Sequence, residues 1–335
     1  MTVGFIKSKK LGIALLLGTL LLILAACGND EKASNGNKDG DATKIRVGMV
    51  CGGMTPIVAQ IGIYDGSFEK VGLDVEEVCF NSGSDAIAAL VSGSIDMNLG
   101  SYEHVLKMAN NNLGIKAFAS LNNGVGYSLV VKNDSNINSL TDLKGKTLAV
   151  TKAGSLSDTG LRKGLEQAGL NPAEDVNIIG SGSGATMFAA IDSGQVAGGM
   201  VSEPTVSQMV STGDYKVLLD PEFEYAGIVV MSKTEFVNKN KEAVQKLFDE
   251  LQEIHKRAKA DAKSVVTTMQ SKFENIPADV LETAISNQMA KVPEGLIISE
   301  AAAQTVNETA IQLELIDKPV PFADAIDLSF VKGEK

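Results

Sequence analysis

The sequence predicts a two-lobed α/β protein, and three observations predict it. The chain echoes itself at an offset of 101 residues, each copy alternates strand-patterned with helix-patterned segments, and Ser/Gly loops follow successive strands. The shift lays Ile45-Arg46-Val47-Gly48-Met49-Val50-Cys51-Gly52-Gly53 on Lys146-Thr147-Leu148-Ala149-Val150-Thr151-Lys152-Ala153-Gly154. It also lays Ser82-Gly83 on Ser183-Gly184, Ser92-Gly93 on Ser193-Gly194, and Ser101 on Ser202. An echo at a fixed period marks a repeated structural unit. Strands alternating with helices imply mostly parallel sheets covered on both faces. Such sheets bind ligands outside the carboxyl ends of their strands.

The first copy opens with a strand over Ile45–Val50 and the loop Gly52-Gly53-Met54-Thr55. A helix is expected from Pro56 to Lys70, because Pro suits a first helical turn and Gly72 closes the segment. Strand Leu73–Val78, helix Asp85–Val91 and strand Ile95–Leu99 follow, with Asn81-Ser82-Gly83-Ser84 capping that helix. Further strands are read at Ile115–Ser120 and Tyr127–Val131. The second copy runs through strand Thr147–Thr151, helix Asp158–Ala168, strand Val176–Ile179, helix Ala185–Ile191, Met200-Val201 and Val217–Leu219. After a strand at Ile228–Met231, residues 235–272 are highly charged, with Val244, Leu247, Phe248, Leu251 and Ile254 at helical spacing. Helices are also expected at Ala278–Ala290 and Ser299–Leu315. This region carries no third copy and is expected to pack on the first lobe. The chain then crosses between lobes twice, near Tyr127–Lys132 and Tyr225–Val230, and two crossings make a hinge.

The ends of the chain speak to location. Lys7, Lys9 and Lys10 precede an apolar run over residues 11–26 that closes in Leu24-Ala25-Ala26-Cys27. A basic segment, a short apolar segment and small residues before a cut form an export signal. The run is shorter than the ~20 residues that span a bilayer. Residues 27–43 contain no large apolar side chain and cannot offset the entropy of ordering, so they read as a solvated tether. Loss of the three lysines takes the formal net charge from −11 to −14. Nucleic-acid binding needs a basic face, which this acidic chain lacks. Cys51 and Cys79 end neighbouring strands, which permits a disulfide, but their apolar flanks favour two buried free thiols. No Cys/His spacing suits a zinc site.

Several motifs resemble one known family. Leu143-Lys144-Gly145-Lys146-Thr147-Leu148-Ala149-Val150, preceded by Ser139-Leu140-Thr141-Asp142, resembles a signature of ABC-transporter solute-binding proteins. Gly66-Ser67-Phe68-Glu69-Lys70-Val71-Gly72-Leu73-Asp74-Val75, Ser92-Gly93-Ser94-Ile95-Asp96 and Ser202-Glu203-Pro204 resemble segments of its sulfonate/nitrate/taurine branch. Leu-Ala-Ala-Cys27 resembles the bacterial lipoprotein box, whose Cys is lipidated. The resemblance implies a type II periplasmic-binding-protein-like fold. Each lobe would be a mostly parallel sheet flanked by helices, with residues 44–130 and 227–335 in one lobe, 131–226 in the other and a two-strand hinge between. It implies a monomeric, lipid-anchored, extracytoplasmic protein without cofactor or metal. Such a protein delivers a small solute to a membrane permease driven by a separate ATPase.

For the cleft, the candidate ligand contacts are Gly53, Met54 and Thr55, Ser82, Ser101 and Tyr102 from the first copy. Gly154, Ser155 and Leu156, with Ser202 and Glu203, are their counterparts in the second. Small residues at helix starts offer backbone N–H groups and hydroxyls to an anion, although each Ser also serves as an ordinary cap. Glu203 is either an acceptor for a ligand amine, which suits a zwitterion such as taurine, or a cap on the helix after Pro204. Lys152 is the cation of these loops and equally a solvated surface charge. With no Trp and 5% aromatic residues, a ring clamp for a thiamine- or riboflavin-type heterocycle is the lesser alternative. Catalysis has little support, since His104 and His255 lack evident partners and His255 reads as solvated. Two further alternatives are a biosynthetic enzyme of the thiamine-precursor or menaquinone type on the same fold, and an exported receptor signalling to a sensor.

Overall fold

The computed structural model describes residues 42–221 and 224–331. The export signal and Cys27 lie outside the described residues, and the first strand, β1, starts at Thr43, the last residue read as tether. Two five-stranded sheets organise the body. The first has β2 (Leu73–Phe80) beside β1 (Thr43–Val50), then β3 (Met97–Ser101), β10 (Ala226–Lys233) and β4 (Ile115–Asn123). The second has β7 (Asn177–Gly180), β6 (Thr147–Val150), β8 (Gly198–Val201), β5 (Ser128–Lys132) and β9 (Tyr215–Leu219), in that order. Shifted by 101 residues, β1, β2 and β3 overlap β6, β7 and β8. In both sheets the fourth strand is the reversed one: β10 runs antiparallel to β3 and β4, and β5 to β8 and β9. Both sheets are therefore mixed, with four strands parallel and one reversed. The reversed strands sit beside the crossings, since β5 follows the first passage and β10 the second. Ser128 already belongs to the second sheet, so the first crossing lies between Asn123 and Ser128.

Helices obey the same echo. The helices α1 (Ile57–Tyr64), α3 (Gly83–Ser92) and α4 (Tyr102–Asn110) overlap, 101 residues on, α5 (Leu156–Gln167), α6 (Ala185–Asp192) and α7 (Thr205–Ser211). The expected single helix from Pro56 to Lys70 is broken: α2 (Ser67–Lys70) starts after Gly66, whose φ of 70° leaves the helical region. Asp65 accepts from the Ser67 N–H and is gripped by Arg257 at 2.5 Å, so the break is tied down. The sequence pattern assigns no helix after Ser101, yet α4 starts there, with the Ser101 hydroxyl accepting from the Glu103 N–H.

The charged C-terminal region folds as α8 (Thr234–Lys239), α9 (Lys241–Ala260), α10 (Ala262–Gln270), α11 (Ala278–Met289), α12 (Glu300–Gln312) and α13 (Phe322–Ala325). In α9, Val244, Leu247, Phe248, Leu251, Ile254 and Ala258 form one buried stripe against α1. Burying a side chain such as Phe248 contributes roughly 1.5–3 kcal/mol. His255 is buried on that stripe rather than solvated, because it stands one turn from Leu251. Burial there holds its ring below the ordinary imidazole pKa, with Lys259 adding to the effect. Both α9 and α12 pack on elements of the first sheet, as expected, whereas α11 also reaches α7 of the second.

Cys51 and Cys79 are joined in a disulfide, with Cα atoms 5.3 Å apart. The expected pair of buried thiols does not form, because β2 is an edge strand and leaves Cys79 exposed. The bridge closes 28 residues of sequence separation. By the chain-entropy relation a loop of that length contributes about 3.6 kcal/mol. The double substitution Cys51→Ser/Cys79→Ser, or reduction with dithiothreitol, is expected to lower the melting temperature by about 5–7 °C. An unchanged melting curve under reduction would show that the bridge does not constrain the unfolded chain.

Candidate functional site

The carboxyl ends of the two sheets face each other, and their loops bond directly. The Ser183 hydroxyl donates to the Cys51 carbonyl at 2.8 Å, the Met54 N–H to the Glu203 carbonyl at 2.8 Å, and the Ser84 hydroxyl to the Ala153 carbonyl at 3.2 Å. Lys152 reaches Asp85 at 2.6 Å, so the cation of these loops is an inter-lobe ion pair. It holds the Asp85 carboxyl below the usual carboxylate range, helped by the Ser82 hydroxyl. Both partners are about half exposed, so the pair itself is worth little in stability. Gly53 permits close approach, since a Cβ there would stand 2.3 Å from the Ser202 Oγ.

Beneath this seam is a cavity of about 20 Å³. From the first lobe it is lined by Val50, Thr55, Gly83, Leu99, Gly100, Ser101, His104 and Ile228. Tyr127, Thr151, Ser155 and Leu156 complete it. Two pairs related by the 101-residue shift, Val50/Thr151 and Thr55/Leu156, face it together. Four helices begin at its wall: α1 two residues after Thr55, α3 at Gly83, α4 at its cap Ser101 and α5 at its cap Ser155. Each helix start carries a partial positive charge of about +0.5. No lining residue is Lys, Arg, Asp or Glu, so helix ends and hydroxyls dominate the local field.

The hydroxyls are organised. The Thr151 Oγ1 lies 2.7 Å from the Ser155 Oγ and 3.0 Å from the Ser157 Oγ, and Ser155 also donates to the Lys152 carbonyl. Burial pushes the Tyr127 hydroxyl up to about 12, so it stays protonated and able to donate. His104 is 3% exposed. Burial, with Lys107 beside it, lowers its ring to about 3, which keeps it neutral in ordinary buffers.

Four expected contacts, Thr55, Ser101, Ser155 and Leu156, line the cavity. Gly53, Met54, Ser202 and the Glu203 backbone lie in the seam above it. The Gly154 N–H is taken by Asp158 at 2.8 Å. Ser82 caps α3, accepting from the Asp85 N–H at 3.2 Å. Tyr102 is fully buried in the core rather than lining the cavity. The Glu203 carboxylate accepts from the Ser207 N–H and hydroxyl and from Asn287 Nδ2 at 2.9 Å, which is the capping geometry. Sequence reasoning missed His104, Thr151 and Gly83, and the apolar lining residues Val50, Leu99 and Ile228. Thr151 was legible as the 101-residue partner of Val50. His104 carried no such signal, because its neighbours in the cavity are distant in sequence.

Behind the cavity, Glu103 is fully buried and joins the lobes: Thr159 of α5 donates to it at 2.9 Å, and so does the Tyr225 hydroxyl at the second crossing.

Comparison with known proteins gives the chain's family. A family model described as "NMT1/THI5 like" matches residues 56–262. A Bacillus subtilis protein named for aliphatic sulfonates binding is 27% identical over 337 residues, covering 96% of each chain. A solved structure from Bordetella bronchiseptica superposes with a TM-score of 0.75 at 25% identity, covering 86% of this chain and 95% of that one. The alkanesulfonate-binding protein SsuA of Xanthomonas axonopodis pv. citri, bound to MOPS, superposes with a TM-score of 0.71 at 20% identity, covering 86% and 99%. With the model match spanning well over half its length, the chain belongs to the NMT1/THI5-like family.

Proposed function

We propose that this protein is the extracytoplasmic solute-binding component of an ABC importer, and that it encloses a small organic or inorganic anion between its lobes. The observation that carries the reading is the cavity itself, walled by both lobes, where four helix starts meet buried hydroxyls without a fixed charge. The sulfonate binders among its relatives support an anionic solute. Thr55, Ser101, Ser155 and Leu156 would contact it, while Gly53, Met54, Ser82, Tyr102, Gly154, Ser202 and Glu203 shape the seam and its supports. With Glu203 engaged by α7 and Asn287, a plain sulfonate or nitrate suits the site better than an amine-bearing zwitterion. At about 20 Å³ the cavity holds little more than a water, so the solute enters as the lobes part and is enclosed as they close on it. With Tyr127 the one Tyr, Phe or Trp of the lining, a flat heterocycle would lack a ring clamp.

Closure is driven by the extra interactions that the solute makes once both lobes touch it. The closed form then docks on a permease powered by a separate ATPase. In this reading the protein is a monomer that works without cofactor and without catalysis, and Cys27 carries the lipid that holds it at the outer face of the membrane.

A thermal-shift panel of methanesulfonate, taurine, nitrate and sulfate tests the reading. A solute at a hundred times its Kd stabilises by about 2.7 kcal/mol, which for a chain of this size raises the melting temperature by about 4–5 °C. Methanesulfonate or nitrate is expected to exceed taurine. A flat response to all four would overturn the proposal.

A further inference from the structure

One group in the cavity stands apart. Among the described residues, the Nε2 of His104 is buried and has no hydrogen-bond partner. The ring lines the cavity, and its Nε2 would stand 3.2 Å from a Cβ built on Gly83, the first residue of α3. A buried polar atom without a partner is costly and is kept where something else satisfies it. The neighbouring hydroxyls of Thr151 and Ser155 are already bonded to each other. The cavity therefore pairs four positive helix ends with one unsatisfied imidazole nitrogen.

We propose that His104 is the charge partner of the bound solute: it accepts one proton from solvent as the anion enters, and its Nε2–H then donates to an anionic oxygen. This rests on the solute-binding reading and deepens it, because it names the solute class as anions of strong acids that stay ionised as the ring protonates.

The surroundings fit a switchable charge at this position. Without an anion, burial and Lys107 on the same helix both disfavour imidazolium. On the helices packed against α4, Glu300 and Glu308 of α12 and Asp324 of α13 are exposed to solvent, and the nearer acidic groups are committed elsewhere. Glu103 is bonded to Thr159 and Tyr225, Asp85 on α3 is held by Lys152 and Ser82, and Asp158 on α5 by Arg162 and the Gly154 N–H. Tyr127, the other titratable group on the cavity, stays neutral. An anion a hydrogen bond away supplies the missing opposite charge, and an opposite charge at that range favours the protonated ring. By linkage, proton and anion then bind together, and affinity rises as pH falls.

The chain has two histidines, so ring resonances of the histidine-labelled protein are few, and His255→Gln assigns them. Without solute, the His104 ring is expected to remain neutral down to pH 5. Saturating methanesulfonate should move its titration midpoint upward by more than three units, to about 6.5. Between the solute-free midpoint and this raised one the affinity should rise by up to tenfold for each unit the pH falls, levelling off above it, and calorimetry within that window in buffers of different ionisation enthalpy should register proton uptake. His104→Gln keeps a donor and loses the titration. It should bind methanesulfonate about tenfold more weakly at pH 5.5, with no pH dependence, while His255→Gln binds as the parent does. Methanesulfonate binding without proton uptake and with an unmoved His104 resonance would overturn the inference and leave the solute-binding reading standing. Failure of the parent protein to bind any anion of the panel would overturn both.

Discussion

Replacing Gly227 with valine is expected to destabilise the protein by at least about 4 kcal/mol, and alanine by somewhat less. A Cβ at this position would stand 1.7 Å from the Gly124 carbonyl oxygen and 2.9 Å from its carbon. Both are backbone atoms, so no side chain can rotate aside. Gly227 falls at a register shift where β10 passes β4, and the Gly124 N–H donates to the Tyr225 carbonyl at 2.7 Å next to it. Making room means separating the two strands and losing those bonds, which exceeds the ~1–3 kcal/mol of ordinary overpacking. These are the two segments where the chain passes between sheets, so the surviving fraction should also close poorly on solute. Urea unfolding of Gly227→Ala and Gly227→Val measures the loss. A midpoint equal to the parent's for Gly227→Ala would refute the close packing of the crossings.

The two-sheet architecture was legible because it was written twice. The 101-residue echo sets β1–α1–β2–α3–β3–α4 over β6–α5–β7–α6–β8–α7, and the Ser and Gly residues that carried it stand at strand ends and helix starts in both copies. Applied consistently, the same echo would have found α4, because Ser202-Glu203-Pro204 already announced α7. Local chemistry misled where the environment is tertiary. His255 looked solvated among lysines, yet the apolar period of α9 turns it inward. Cys79 looked buried among apolar neighbours, yet it lies on a sheet edge. In the site, half-backbone features were readable, since Thr55, Ser101, Ser155 and Leu156 follow strands and open helices. How those loops bond to one another across the cleft was not readable, and neither was a lone histidine reaching a cavity built from residues far away in the chain.

Glu103 carries the second large effect. Its carboxylate is fully buried and accepts from Thr159 in one lobe's α5 and from Tyr225 at the second crossing. Glu103→Ala leaves both hydroxyls without this acceptor and opens a void between lobes. At about 1–3 kcal/mol for each unsatisfied buried group, plus the void, the expected loss is about 4 kcal/mol. Scattering should also show the solute-free protein more open. The pH dependence has a definite sign. Burial holds this carboxyl above the ordinary glutamate range, against the opposing pull of Tyr225, Lys107 and Thr159. Between the unfolded value of about 4.3 and the raised folded value, the native state keeps a proton that the unfolded chain has released. Stability from this group is therefore fully present below pH ~4, declines as pH rises through that window, and is level above it. Glu103→Gln is neutral at every pH and lacks the decline. Plotted against pH, its stability relative to the parent should improve from pH 4 toward 7, whereas Glu103→Ala is the less stable protein throughout. Parallel stability profiles for Glu103→Gln and the parent would show that Glu103 titrates alike folded and unfolded. Loss of under about 1 kcal/mol in Glu103→Ala, less than one unsatisfied buried group costs, would show that the buried junction does not hold the lobes together.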